Sequence, residues 1–335
     1  MKIAIVGMGL SGSYLSSRLS TDHNVVGYDM HSKDNFDAVC GWGSVKDILE
    51  QYASTCGLKF EDYVVHNGKK MTVDVNGEII DIKLNGLCCF DKKQFIQDMI
   101  KGKEVVYGKF VNKEILKEDY DLIIDSTGLI RPLLPKIEND LLIPCVQYRV
   151  KFKNPPYDDF YIKTFKGLTG YFWYFPLGDG IFHVGAGDYL RRHNDELSTF
   201  LSKHPCEILK KNGRPVRITP PRLCEPFFNG KVVGVGESIG TVYPMLGEGI
   251  IPSLQCADLL IDNLYDFQKY RDKVLEHFKI HYPVYRFIKS KIEGKFNLPL
   301  QLISLIRIYR YMKINETRYG MDINIGNLLK IVLKA

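Results

Sequence analysis

The sequence has no run approaching about 18 apolar residues, so no membrane-spanning helix is expected. The short apolar stretch behind Lys2 is broken by glycines almost at once and meets no cleavage site, which argues against a secretory signal. A soluble, cytoplasmic protein is the expectation. Eight cysteines, at 40, 56, 88, 89, 145, 206, 224 and 256, include no C-x-x-C pair and no zinc-like spacing. Most read as small buried hydrophobes, no metal is expected, and the sequence leaves open whether any of them pair. His277 and His281 stand four apart with no further ligand near them, so packing or surface roles are expected of both. Internal repeats and low-complexity segments are absent. An excess of one charge sign is lacking outside one region. The net charge is +6, and from His281 to the C-terminus ten Lys/Arg against three acids give +7, so the rest of the chain is about −1. That argues against a surface built to bind nucleic acid along its whole face and for a locally basic C-terminal segment.

What is present suits one large domain or two intertwined ones, since 335 residues at 45% hydrophobic content can bury a substantial core. "KIAIV" (2–6) reads as a buried strand, "SGSYLSSRLS" as a helix and "NVVGYD" as a second strand ending on Asp29, a βαβ start. "TVDVNGEIIDIKLNGL" alternates around Asn-Gly and predicts a hairpin. "FDKKQFIQDMIKG" is helical in pattern, and "DLIIDSTG" is another buried strand. Residues 145–187 become aromatic and β-rich, which predicts an antiparallel sheet, and helices dominate after Ile250. The fold class expected is α/β: a Rossmann-like dinucleotide-binding domain with an inserted antiparallel β-sheet substrate domain and a helical C-terminal segment. The boundaries expected are 1–70 with 90–140 and 226–265 for the first, 71–89 with 141–225 for the second, and 266–335 for the basic helical segment.

Gly7, Gly9 and Gly12 form G-x-G-x-x-G between the first strand and helix. The first glycine permits the turn, the second lets a diphosphate approach the backbone, and the third lets the helix pack closely on the sheet. Asp29 can accept hydrogen bonds from an adenosine ribose. A merely tight βα turn is the plainer alternative, and the pattern alone does not separate NAD from FAD. A second glycine-rich stretch, "VGVGESIGTVYPMLGEGIIPSL" (233–254), runs into a helix whose first amides lack intrahelical partners. NAD needs no second clamp of this kind. FAD, being longer, does, and a helix N-terminus would favour negative charge on a reduced flavin ring.

Taken together, "GMGLSG", Asp29, "DSTG" (125–128) and "GESIGTVYPMLGEGI" (236–250) resemble the FAD-dependent oxidoreductases of the p-hydroxybenzoate hydroxylase fold. More narrowly, "CGWG" (40–43), "GYFWYFPLGDG" (170–180) and "PMLGEGI" (244–250) resemble the geranylgeranyl reductase family, and the resemblance covers roughly residues 1–290. It implies FAD contacts at Ser11, Asp29, Cys40, Gly41, Glu237, Gly249 and Ile250, with Gly128, Gly236 and Gly247 in the same motifs. Glu237 stands where the family has Asp. Lys92 stands near the family's arginine, keeping its charge without the bidentate fork, so it is either a phosphate contact or a surface lysine. Tyr171, Trp173 and Phe175 alternate and would project from one face of a strand. The resemblance makes them a wall for an extended apolar chain, and ordinary core packing is the alternative. It also puts Cys40 beside the flavin, where a thiol could position substrate or deliver a proton; composition alone would make it an inert buried cysteine.

The activity implied is reduction of isoprenoid C=C bonds, in geranylgeranyl groups of ether lipids or related prenyl compounds, by hydride from reduced FAD. With no second dinucleotide fingerprint, the electron donor expected is a small redox protein or transient NAD(P)H. A flavin monooxygenase of the same fold is the nearest competitor, a halogenase a more distant one, and a non-catalytic prenyl-lipid binding protein the alternative from another class. "LPLQLISLIRIYRYMK" (298–313) reads as a helix whose basic residues suit an anionic bilayer surface, or equally as a core-facing helix with a solvated rim.

Overall fold

Lys2–Val6 is buried on both faces beyond its first residue, the pattern of a central parallel strand. In the computed structural model, which describes residues 1–37 and 40–335, it is β1, followed by α1 (Leu10–Leu19) and β2 (Asn24–Tyr28). Next come β3 (Gly43–Val45), α2 (Lys46–Thr55), β4 (Val64–Asn67), β5 (Lys70–Val75), β6 (Glu78–Lys83), β7 (Leu87–Phe90), α3 (Lys92–Met99), β8 (Val105–Val106) and β9 (Leu122–Asp125). The middle of the chain gives β10 (Leu142–Ile143), β11 (Cys145–Phe152), β12 (Phe160–Thr164), β13 (Gly170–Pro176), β14 (Ile181–Asp188), α4 (His193–Lys203), β15 (Cys206–Gly213) and β16 (Val216–Arg217). After β17 (Phe228–Asn229) and β18 (Val232–Gly234) the chain is helical: α5 (Ile250–Ile261), α6 (Phe267–His277), α7 (His281–Ile292), α8 (Leu298–Ile314), α9 (Glu316–Tyr319) and α10 (Ile325–Lys334).

Six strands in the order β17-β18-β9-β1-β2-β8 make the nucleotide-binding sheet, parallel except for the β17–β18 hairpin. Helix α1 packs against α5 and α3 on this sheet, and the shared core runs from Ile3 and Ile5 to Leu254 and Leu260. The second sheet has seven strands, β15-β11-β14-β13-β12-β5-β6. Its β12 and β5 pair in parallel, so the sheet is mixed where an antiparallel one was expected. The reason is topological: β5 comes from the first part of the chain, and the β5–β6 hairpin is added to the edge that β12 leaves open. Asn76 and Gly77 both take positive φ at the tip of this hairpin, as a two-residue turn requires. β7 pairs with β3 and β4 in a separate three-stranded sheet.

The C-terminal helices build a core of their own, with Val284 and Phe287 of α7 against Leu305 and Ile308 of α8. Beyond α9 the chain returns to the β5–β6 hairpin: Gly320 O accepts from Asn85 N (2.7 Å), Asp322 N donates to Lys83 O (2.9 Å), and Lys334 pairs with Glu78. The C-terminal segment thus closes one end of the space between the two large sheets. No helix among the described residues is long and apolar enough to cross a membrane.

Candidate functional site

The first glycine turn is shaped by what surrounds it. Gly7 has φ +92°, and a Cβ there would lie 2.7 Å from Ser126 O, so only glycine fits. A Cβ on Gly12 would strike the Gly7 carbonyl, the close helix-on-turn approach expected from the motif. Gly9 faces open space and is the N-cap of α1, with no side chain capping it. The first amides of α1 are therefore free to receive an anion. Asp29 is fixed beside them: its Oδ2 accepts from Met8 N (2.9 Å) and its Oδ1 from His31 N (2.9 Å).

The second glycine-rich stretch continues β18. Val235 N donates to Asp125 O (3.0 Å) and Ser238 Oγ to the same oxygen (2.8 Å), which seats the turn on β9. Gly236 takes φ +71° with its Cα side against Ser11 Oγ and Ser253 Oγ. The Glu237 carboxylate is held by Arg214 and by the Arg217 amide (3.1 Å). Arg217 is buried and donates to Gly128 O (3.1 Å), Leu129 O (2.9 Å), Glu237 O (2.7 Å) and the Asp140 carboxylate (3.0 Å), so one guanidinium ties the "DSTG" turn to Glu237. Helix α5 starts on Gly249, again with no side-chain cap. The turn before it is closed by Tyr243 N to Glu248 O (2.8 Å) and Gly247 N to Tyr243 O (3.0 Å). Arg318 of α9 donates to the Glu248 carboxylate (2.6 Å) and also lines the cavity. Burial pushes the Glu248 carboxyl above its ordinary range. Burial is also the largest influence on Arg318 and disfavours its cation, but the Glu248 carboxylate together with Tyr319, Tyr311 and Tyr243 outweighs it and leaves the guanidinium raised.

Between these turns lies the Cys40–Gly43 loop. Cys40 Sγ accepts from Lys92 Nζ (3.3 Å) and from Trp42 N (3.3 Å). Its carbonyl accepts from Gln147 Nε2 (3.1 Å), and Gln147 Oε1 accepts from Trp173 Nε1 (3.1 Å). Phe175 packs against Gly41, where a Cβ would be 2.9 Å from the ring. His183 Nδ1 is 3.4 Å from Gly41 O, its ring stands edge-on to Trp42, and burial pulls it down to about 4. Tyr171 donates to Leu246 O (2.5 Å). The three aromatics do share one face of β13, and each also braces a loop.

Both glycine turns and the Cys40–Gly43 loop border one cavity of about 1050 Å³. Gly7, Gly9, Ser11, Asp29, Cys40, Gly41, Lys92, Gly128, Glu237, Gly247, Gly249 and Ile250 lie on its walls together with Tyr171, Trp173 and Phe175. Gly12 and Gly236 are outside the lining and act through packing. Away from the glycine turns the wall is apolar, with Met71, Ile82, Ile162, Ile288, Met312 and Ile331 among its residues. Lys92 is turned toward the Cys40 thiol, so it supports that loop and is no free surface lysine. Gln147, Arg214, Arg217 and Arg318 were missed by sequence reasoning. They carry no motif, and their partners are distant in the chain. The eight cysteines are all free, no group of residues suited to a metal occurs among the described residues, and His281 is a buried packing histidine held by burial at about 3.

Comparisons with known proteins agree with this architecture. No protein-family model matches the chain. An uncharacterised protein of Methanocaldococcus jannaschii is 26% identical, with the match covering all of both chains. A digeranylgeranylglycerophospholipid reductase of Thermoplasma acidophilum is 28% identical over 266 residues, 75% of this chain and 56% of that one, so the match spans little more than half of the named reductase. Among solved structures, a geranylgeranyl bacteriochlorophyll reductase-like protein of Thermoplasma acidophilum has a TM-score of 0.73 at 16% identity, covering 99% of this chain and 96% of that one. The p-nitrophenol 4-monooxygenase of Pseudomonas putida has a TM-score of 0.66 at 12% identity, with the same coverage. The structural likenesses establish the fold, a Rossmann-type α/β architecture with a helical C-terminus. The similarity to geranylgeranyl reductases read from the motifs is matched by these relatives.

Proposed function

We propose that the chain is an FAD-dependent reductase that saturates isoprenoid C=C bonds, in geranylgeranyl groups of ether lipids or related prenyl compounds drawn from a lipid phase. The observation that carries this reading is the union of two uncapped helix N-termini, at Gly9 and Gly249, with an aliphatic and aromatic wall in a single cavity. About 1050 Å³ lies just above the roughly 300–1,000 Å³ that a ligand site usually occupies, which suits a dinucleotide and an apolar chain side by side. The glycine cradle at Gly7 and the open backbone at Gly9 fit a diphosphate, and Asp29 fits a ribose. Bound FAD would supply the hydride. The chain's own residues would do the rest.

In this reading the α1 N-terminus with Ser11 holds the diphosphate, and Glu237, oriented by Arg214 and Arg217, faces the ribityl chain. The free amides at Gly249 and Ile250 favour negative charge on the ring system. Tyr171, Trp173 and Phe175 hold an extended apolar chain and exclude water. Cys40, on the cavity wall with its thiol held by Lys92, would position substrate or pass a proton. Electrons come from a small redox protein or from NAD(P)H. The match to a monooxygenase of the same fold supports a second reading, in which oxygen is the acceptor. The deciding experiment is anaerobic: reduce the flavin-loaded protein with dithionite, add a geranylgeranylated lipid, and follow flavin absorbance and product mass together. Reoxidation with a two-hydrogen mass gain supports the reductase. Reoxidation by oxygen alone, with hydroxylated product or peroxide, moves the assignment to the monooxygenase.

A further inference from the structure

Helix α8 presents the wrong face to water for a helix of a purely soluble protein. Its inner stripe, Leu305, Ile308 and Met312, is buried against α7 in the core that also takes in Val332 of α10. The outer stripe at i, i+3, i+7, i+10 and i+14 is Leu300, Ile303, Arg307, Arg310 and Ile314, and its three aliphatic side chains are 79%, 73% and 83% exposed. Leu302 and Ile306 flank it, also exposed, and Lys313 completes the cationic set. The 17 residues of α8 contain no acid. Single exposed aliphatics are ordinary, but five on one helix face interleaved with arginine are the pattern of a helix lying in a membrane interface.

We infer that this face docks on an anionic lipid bilayer. The charge is complementary, since the segment from His281 onward carries the whole positive excess of the chain. The location is apt as well: residues of the same helical layer that face the other way, Ile288, Ile292, Met312, Leu328 and Ile331, wall the apolar part of the cavity. A bilayer beneath α8 is thus separated from the cavity by one layer of helices. The docking rests on the exposed face alone. The purpose given to it, delivering a prenyl chain to the cavity, rests on the proposed function.

The test is flotation of the full chain with two sets of vesicles, phosphatidylcholine alone and phosphatidylcholine with about one-third phosphatidylglycerol. The expected result is flotation with the anionic vesicles only, weakened by salt. Ile303→Asp with Ile314→Asp, both at exposed positions, should abolish it. Arg307→Gln and Arg310→Gln should each lower partitioning about fivefold, as loss of one surface cation implies. Absence of flotation, or flotation that these variants leave unchanged, would overturn the inference. So would concentration-dependent dimerisation in sedimentation that the aspartate variants abolish, because a second copy would then be what covers the face. Flavin reduction and turnover of a detergent-dispersed short prenyl substrate should persist in the aspartate variants. If they persist while wild-type flotation fails, the docking is wrong and the reductase reading stands. If flotation holds but no flavin chemistry is found, the reverse applies.

Discussion

Gly185 has no room for a side chain, because a Cβ there would run into the Trp173 indole. Gly185→Ala should therefore push Trp173 off its hydrogen bond to Gln147 and destabilise the protein by about 1–3 kcal/mol. The chain has two tryptophans, so a shift in intrinsic fluorescence beside the melting curve reads the displacement. A native spectrum and an unchanged melting curve would contradict this packing. His183 gives a second residue-scale prediction. Burial depresses its pKa from 6.5 to about 4, so the unfolded chain binds more protons between those values. Its contribution is complete above about pH 6.5 and is lost as pH falls toward 4, on the order of 3 kcal/mol in all. His183→Gln should flatten that part of the stability profile, measured by denaturant unfolding at a series of pH values. At this scale the sequence was legible where a motif has a backbone reason, as at Gly7, Gly12 and Asp29. It was silent where a contact joins distant positions, such as Gln147 to Cys40 or Arg217 to Gly128.

Among the elements, α9 is the short piece with the largest reach. Its Arg318 is almost fully buried and neutralises Glu248 at the turn before α5. Arg318→Met should leave that carboxylate without a counter-charge and cost about 3 kcal/mol, while adding Glu248→Gln should recover part of the loss. Urea unfolding of the single and double variants measures both, and a double variant no more stable than Arg318→Met would show that the pair is not the cause. The strands and helices themselves were mostly readable, because periodicity survives in a single sequence: β1, α1, the Asn76–Gly77 hairpin and α3 all lie where the pattern puts them. The pairing partners were not. The parallel β12–β5 join and the separate sheet of β3, β7 and β4 depend on which edges meet in space, information that alternation does not carry.

At the scale of the whole molecule, two sheets and a helical layer converge on one cavity whose walls change character along its length. The glycine turns of β1 and β18 give one end backbone amides and helix N-termini, and β13 with the C-terminal helices gives the other an apolar lining. The sequence showed both ends separately. That the C-terminal segment returns to close the cavity against the β5–β6 hairpin appears only in the structure. The proposed chemistry requires that this cavity hold FAD. The most direct test is to incubate the purified protein with FAD, remove the excess and record the visible spectrum, together with that of an Arg217→Met variant. The wild type should retain one equivalent of flavin, and the variant, whose Glu237 and Gly128 turns lose their common tie, should retain it more weakly. A protein that stays colourless and cannot be loaded with FAD would contradict the assignment.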